Sequence, residues 1–290
     1  MRLLFNYVFI FTLLVMSVLV LTDTDLIKKE GVVSSKMEGG LFIWKDKLYR
    51  LEVDRDDYSY TSLVIKNHDT NEEIFRFANN YGLASIMVYQ NKIICIATKD
   101  WIQKGESKSK IKLFILDSPN SIEMSYVIKE APRDELYFNT SIDYDDENKE
   151  FVIAYEFRKI KAYWDPFSIK FMTSKKLDDW QDKGSVMYPN KYAACPTVRK
   201  YGEYYYIWYL NNQGNIYYTV LSRSKDLKTF EDSKIKFLYP SPHEGINNSD
   251  FDIIQYEDKS IMLYADGDQK IYANIKVAQS NYSVSAIKST

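Results

Sequence analysis

Three acidic residues fall where they could work together. Glu38 lies nine residues before Lys47 and Asp250 nine before Lys259, and each lysine closes a polar turn between two strand-like runs. The two acids therefore hold matching places in the first and last of a series of repeats. Glu156 ends the run Val152-Ile153-Ala154-Tyr155-Glu156. A carboxyl following a buried apolar strand is expected to be desolvated and its pKa raised, which is what a general acid working near neutral pH needs. One carboxyl that donates a proton and a second that activates water or attacks a sugar carbon is the minimum for cleaving a glycosidic bond.

Other groups collect near these acids. Asn139-Thr140-Ser141 opens the strand preceding Glu156, and Asn247-Asn248-Ser249 leads into Asp250 and Asp252. Asn139, Ser141, Asn248 and Asp252 supply short donors and acceptors suited to sugar hydroxyls, although such residues also serve as ordinary strand-entry turns. His243-Glu244-Gly245 comes just before. It offers Glu244 as a rival acid and His243 as a group that could bind substrate or stabilise charge. Tyr192, the Tyr204 to Tyr206 run, Trp208, Tyr209 and Trp164 are aromatic faces able to stack on sugars, and strand alternation assigns most of them to a core. Asn139 and Asn247 each begin an N-x-S/T sequon, which carries glycans only in a eukaryotic secretory host.

The elements that must position these residues repeat five times. An apolar strand, a polar turn and a second aromatic or β-branched strand recur at Phe42 to Val53, Ile86 to Thr98, Ile142 to Phe157, Thr197 to Leu210 and Asp252 to Asp266. The turns Asp46-Lys47, Asn91-Lys92, Asn148-Lys149, Gly202-Glu203 and Asp258-Lys259 are spaced at intervals of about 45 to 57 residues, close to one four-stranded propeller blade each. The segment from Thr173 to Trp180 recurs as Arg223 to Phe230. Its Ser-Lys start and its Leu and closing aromatic fit the outer turn of a blade. Outside the N-terminus no convincing amphipathic helix supplies the crossovers of a parallel sheet, and a β-sandwich would not require five like hairpins at near-constant spacing. The expected fold is all-β, a five-bladed β-propeller spanning residues 28–290, with blades near 36–78, 79–130, 131–188, 189–240 and 241–288. The inner strands of such a ring begin at one mouth of its channel, and Glu38, Asp250 and Glu156 are expected there.

The N-terminus differs in kind. Leu3 to Leu21 is an uncharged, mostly apolar run after Arg2 and before Asp23 and Asp25. That is about one bilayer thickness of helix, with charges that place the following domain outside. Residues 1–27 are read as a signal anchor or signal peptide, and the domain as membrane-anchored outside the cytoplasm or secreted. Any contact with the membrane is expected through this segment alone. With 38 basic against 40 acidic residues the chain has no general attraction for a phosphate backbone, which argues against nucleic acid as a partner. Cys95 and Cys195 match no metal-ligand spacing and are expected to be buried thiols. No residue cluster calls for a cofactor or a metal.

Asn139-Thr140-Ser141 with Tyr155-Glu156, Ala194-Cys195-Pro196-Thr197, Arg223 to Leu227 and Asn247 to Asp252 together give the chain a recognisable cast. Over roughly residues 36 to 285 it resembles the five-bladed glycosidase-like propellers related to glycoside hydrolase family 43, the arabinanases and xylosidases. The resemblance implies a carbohydrate substrate and hydrolysis of a glycosidic bond, with inversion as one outcome. It implies Glu38 or Asp250 as base and Glu156 or Glu244 as acid, and it allows a structural cation in the channel. Glu38-Gly39-Gly40 stands where the family carries an Asp-Pro pair. A non-catalytic propeller binding glycan or protein is the competing reading.

Overall fold

The computed structural model describes residues 27–57, 60–99, 109–160, 166–268 and 272–284. All but the last residue of the expected anchor at 1–27, and Trp164, lie outside the described residues. Among the described residues no helix is long and apolar enough to cross a membrane. The described residues form twenty strands. β1 (Lys28–Ser34) comes first, followed by four complete four-stranded antiparallel units. These are β2 (Gly39–Trp44) to β5 (Glu73–Phe77) through β3 (Lys47–Asp57) and β4 (Tyr60–Asn67), then β6 (Tyr81–Tyr89), β7 (Lys92–Lys99), β8 (Lys110–Ser118) and β9 (Ser121–Glu130). The third comprises β10 (Glu135–Asp145), β11 (Glu150–Lys159), β12 (Ser168–Ser174) and β13 (Gln181–Met187), and the fourth β14 (Ala194–Tyr201), β15 (Tyr204–Gln213), β16 (Ile216–Ser224) and β17 (Glu231–Leu238).

The fifth unit departs from a simple repeat. Residues after 241 supply only β18 (Asn247–Tyr256), β19 (Lys259–Gly267) and β20 (Ala273–Ser280), and β1 completes the sheet by pairing antiparallel with β20. The sheets are arranged as propeller blades, and the N-terminal strand holds the last blade to the start of the chain. One parallel pair, Tyr217 with Asn247, joins the fourth blade to the fifth.

Each pair of neighbouring blades encloses its own apolar layer. Phe42, Leu51 and Leu63 of the first blade meet Ile93, Cys95 and Phe114 of the second, and Trp208 and Leu221 of the fourth meet Phe251 and Tyr264 of the fifth. Leu41 and Leu48 pack against Leu263 and Ile275 to close the ring. The repeated outer turns serve these layers. The Ser224 hydroxyl accepts the Leu227 amide at 2.9 Å and Asp226 caps Lys228 and Thr229, which fixes the turn so that buried Leu227 and Phe230 reach the layer between the third and fourth blades.

Among the innermost strands β2, β6, β10, β14 and β18, only β18 has a second strand partner, the single Tyr217 to Asn247 pair, so most of their inward backbone groups need other partners. Side chains from adjoining blades supply them. Glu38 takes the Leu83 amide (3.0 Å), Ser85 takes that of Ile142 (3.3 Å), Ser141 that of Val198 (3.0 Å) and Asp252 that of Leu41 (2.7 Å). The Thr197 hydroxyl donates to the Phe251 carbonyl, completing the circuit between the fourth and fifth blades.

Candidate active site

A bulge interrupts the inner hairpin near its mouth end in four blades, at Gly82/Ser85, Tyr137/Thr140, Ala194/Thr197 and Ser249/Asp252. In three of them the first bulge residue is left-handed: Leu83 (φ 51°), Cys195 (φ 47°) and Asp250 (φ 48°). A bulge of this kind turns a side chain out of the regular pleat, and here it brings Asp250 and Cys195 to the rim of a shallow central depression that Glu38, Gly40, Asn139 and Asp252 also line.

Glu156, 3% exposed, lies on β11 opposite the bulge of β10. Its Oε2 accepts the Cys195 amide at 2.7 Å and the Asn139 side-chain amide at 3.0 Å. No hydrogen bond from the described residues reaches Oε1, which is left as the seat for a proton. Burial raises its pKa, the two donors oppose that, and the negative charges of Asp250 and Glu38 add to it, so that the carboxyl is pushed up to about 7. Asp250 is also raised by burial, while the Ser249 hydroxyl, the Cys195 thiol and the Arg55 charge stabilise its anion. Glu38 faces Arg55 at 3.5 Å.

Cys195 is the centre of this group. Its amide holds Glu156, its sulfur accepts the Asn139 amide at 3.2 Å, and its thiol bonds Asp250. Burial and the surrounding carboxylates raise the thiol pKa well above its usual value, so it acts as a hydrogen-bond donor and not as a nucleophilic thiolate. The expectation of two buried thiols therefore holds for Cys95 alone, since Cys195 is partly exposed at the mouth. Sequence reasoning also passed over Arg55, whose charge reaches both Glu38 and Asp250.

The structure thus brings together Glu38, Asn139, Glu156 and Asp250 and gives the other candidates different surroundings. Glu244 is buried in an ion cluster with Lys29 (2.5 Å) and Lys276 (3.4 Å), and accepts the Tyr264 hydroxyl and Ser241 amide at 2.8 Å each. These partners overcome burial and hold its pKa at about 2, the opposite of what a proton donor at neutral pH needs. Asn248 is fully buried, donates to Glu244 at 3.4 Å and does not line the depression. His243 is exposed in its loop. Ser141 and Asp252 line the depression, but their oxygens already serve the fold. Asp252 pairs with Arg199 through Oδ1 and takes the Leu41 amide on Oδ2, and Ser141 accepts the Val198 amide. Both therefore also join neighbouring blades. Among the described residues no group of three or more His, Cys, Asp or Glu side chains is arranged to hold a metal ion.

The fold is that of the family-43 glycoside hydrolase propellers. A thermostable family-43 glycoside hydrolase superposes with a TM-score of 0.65 at 11% identity, covering 86% of this chain and 91% of the other. An exo-1,5-alpha-L-arabinanase from a bovine ruminal metagenomic library gives 0.61 at 10% identity, over 88% and 97%. An N-acetylgalactosamine deacetylase from F. plautii, in complex with blood group B trisaccharide, gives 0.65 at 10%, over 88% and 95%. No family model matches the sequence, and no curated protein does.

Proposed function

We propose that the protein is a glycoside hydrolase that cleaves its substrate at the central mouth, with Glu156 as general acid. The observation that carries this reading is a buried carboxyl with a pKa of about 7 beside two further carboxylates. Such a group is substantially protonated at neutral pH and can give its proton to a leaving glycosidic oxygen. Asp250, at the rim and bonded by Ser249 and Cys195, is the base or nucleophile, and Glu38 with Arg55 shapes the charge between them. The glycoside hydrolases that share the fold support a carbohydrate substrate by analogy. On the strength of the apolar run from Leu3 to Leu21, we place the domain outside the cytoplasm.

The pairing of Glu38 with Arg55 and of Glu156 with two donors favours one second reading, a propeller that binds glycan without cleaving it. A panel of aryl arabinofuranosides, xylosides and galactosides separates the two. Turnover that Glu156→Gln and Asp250→Asn both abolish supports the hydrolase. Glycan binding without turnover in all three proteins supports the binding module.

A further inference from the structure

A second hollow, sharing no lining residue with the mouth, opens where the second blade passes to the third. It holds about 270 Å³, the share of liquid that about nine waters occupy. Lys129 near the end of β9, Glu135 and Tyr137 at the start of β10, Tyr155 on β11 and Lys170 on β12 all line it. The fourth strand supplies the remaining wall. β13 pairs with β12 at Asp182 with Met172 and next at Val186 with Lys170, so Lys183 to Ser185 bow out of the ladder. At their centre Gly184 is left-handed (φ 70°), and a Cβ added there would meet open space.

The charges of this cleft come in pairs. Lys129 Nζ bonds both Asp182 oxygens at 2.9 and 2.7 Å, and Lys170 Nζ both Glu135 oxygens at 2.6 and 2.8 Å. The Tyr155 hydroxyl also donates to Asp182, at 3.1 Å. Each pair keeps unused capacity, since an ammonium carries a further N–H and a carboxylate further lone pairs. Tyr137 is the telling group. The residue is 1% exposed and its ring is held edge to face on Tyr155 at 5.1 Å between centroids, yet among the described residues its hydroxyl has no hydrogen-bond partner. Burial and then the charges of Glu135 and Asp182 raise its pKa, which keeps it protonated as a donor. A rim that only sealed two blades would be filled and its polar groups paired, because interiors leave few voids larger than a water and an unpaired buried hydroxyl is costly.

We propose that this cleft binds a small zwitterion, an α-amino acid with an apolar side chain. Its carboxylate takes the Tyr137 hydroxyl and the remaining N–H of Lys129, and its ammonium sits against the open lone pairs of Glu135. Its side chain lies on Pro132, Val186 and the Tyr155 ring, which line the same cleft. The lysines and acids cancel, so a ligand of a single sign meets a like charge at one pair or the other. A zwitterion finds a partner for each end. The site stands apart from the carbohydrate reading of the mouth and does not depend on it.

The test titrates the full chain by calorimetry with leucine, phenylalanine, glycine, inorganic phosphate, spermidine and xylose. Leucine or phenylalanine should saturate the protein below about 10 mM and bind about tenfold or more tighter than glycine, through burial of the side chain. Phosphate and spermidine should not bind, and any binding of xylose should be untouched by changes in the cleft. Tyr137→Phe, which keeps the ring, should weaken leucine about threefold to tenfold, and Lys129→Met about tenfold or more. Lys225→Met, which breaks an exposed pair with Glu203 on the fourth blade, should have no effect. Melting temperatures identify properly folded variants, and Tyr137→Phe decides alone if Lys129→Met does not fold. No saturable binding of leucine or phenylalanine, folded cleft variants that bind them like the parent, or tighter binding of phosphate, spermidine or variant-sensitive xylose would each overturn the proposal.

Discussion

Exchanging Glu156 for glutamine deletes one ionisable group while keeping an oxygen for the Cys195 amide and the Asn139 side chain. Folding raises this acid from its usual 4.5 to about 7. Between those values the folded protein holds a proton that the unfolded chain has released. Stability from the group is therefore complete below about pH 4.5 and is lost as pH rises through 7. At about 1.4 kcal/mol for each tenfold step, the loss comes to about 3 kcal/mol. The variant has no such group to charge. Urea unfolding of both proteins from pH 4.5 to 8, extrapolated to water, should show the glutamine variant gaining about 3 kcal/mol on the wild type across that range. Titrations elsewhere occur in both proteins and cancel in the difference. A difference that stays flat to within about 0.5 kcal/mol would refute the desolvated carboxyl, and with it the reason for calling Glu156 the acid.

Two further outcomes follow from named contacts. Cys195→Gly suits the left-handed backbone at φ 47° and keeps the amide that holds Glu156, so stability should change by less than about 1 kcal/mol; Cys195→Val forces a β-branched residue into that conformation and should cost about 1 to 3 kcal/mol, both read by chemical denaturation. Lys29→Ala leaves Glu244 with Lys276 as its remaining ion-pair partner. Because Glu244 is lowered to about 2, its contribution is present above pH 4.5 and lost as pH falls toward 2, so the variant should be less stable by about 2 to 4 kcal/mol at pH 7 and the gap should narrow in acid, as thermal melts at pH 7 and pH 3 would show.

The hairpins were legible because their turns are polar and their strands apolar, a local pattern that needs no knowledge of neighbours. The completion of the last blade by β1 was not, since its partner β20 lies some 240 residues away and nothing in Lys28 to Ser34 names it. The acids at the mouth were found by counting back from turns. A count of six residues back from the last residue of these first strands, Trp44, Tyr89, Tyr201 and Tyr256, reaches Glu38, Leu83, Cys195 and Asp250, so Cys195 was within reach of the argument. It was missed because Gly202-Glu203 fills its turn one step out of register with Asp258-Lys259. The environments of Glu244 and Asp252 were not legible for another reason. Their surroundings are set by Lys29 and Arg199, cations remote in sequence that only the closed ring brings near.

The strand that closes the ring also decides how the molecule bears a load. Lys28 pairs with Gln279 at the very start of the β1 and β20 ladder, so tension applied at the N-terminus acts on one rung at a time and peels the strand away instead of shearing all rungs at once. Lys29, bound to Glu244 and to the Tyr239 carbonyl, is the rivet at the next rung, opposite Ala278. Pulling there would release the loop before Asp250 before it disturbed any other blade, which makes the mouth the first part of the domain to respond to a tug on its leading end.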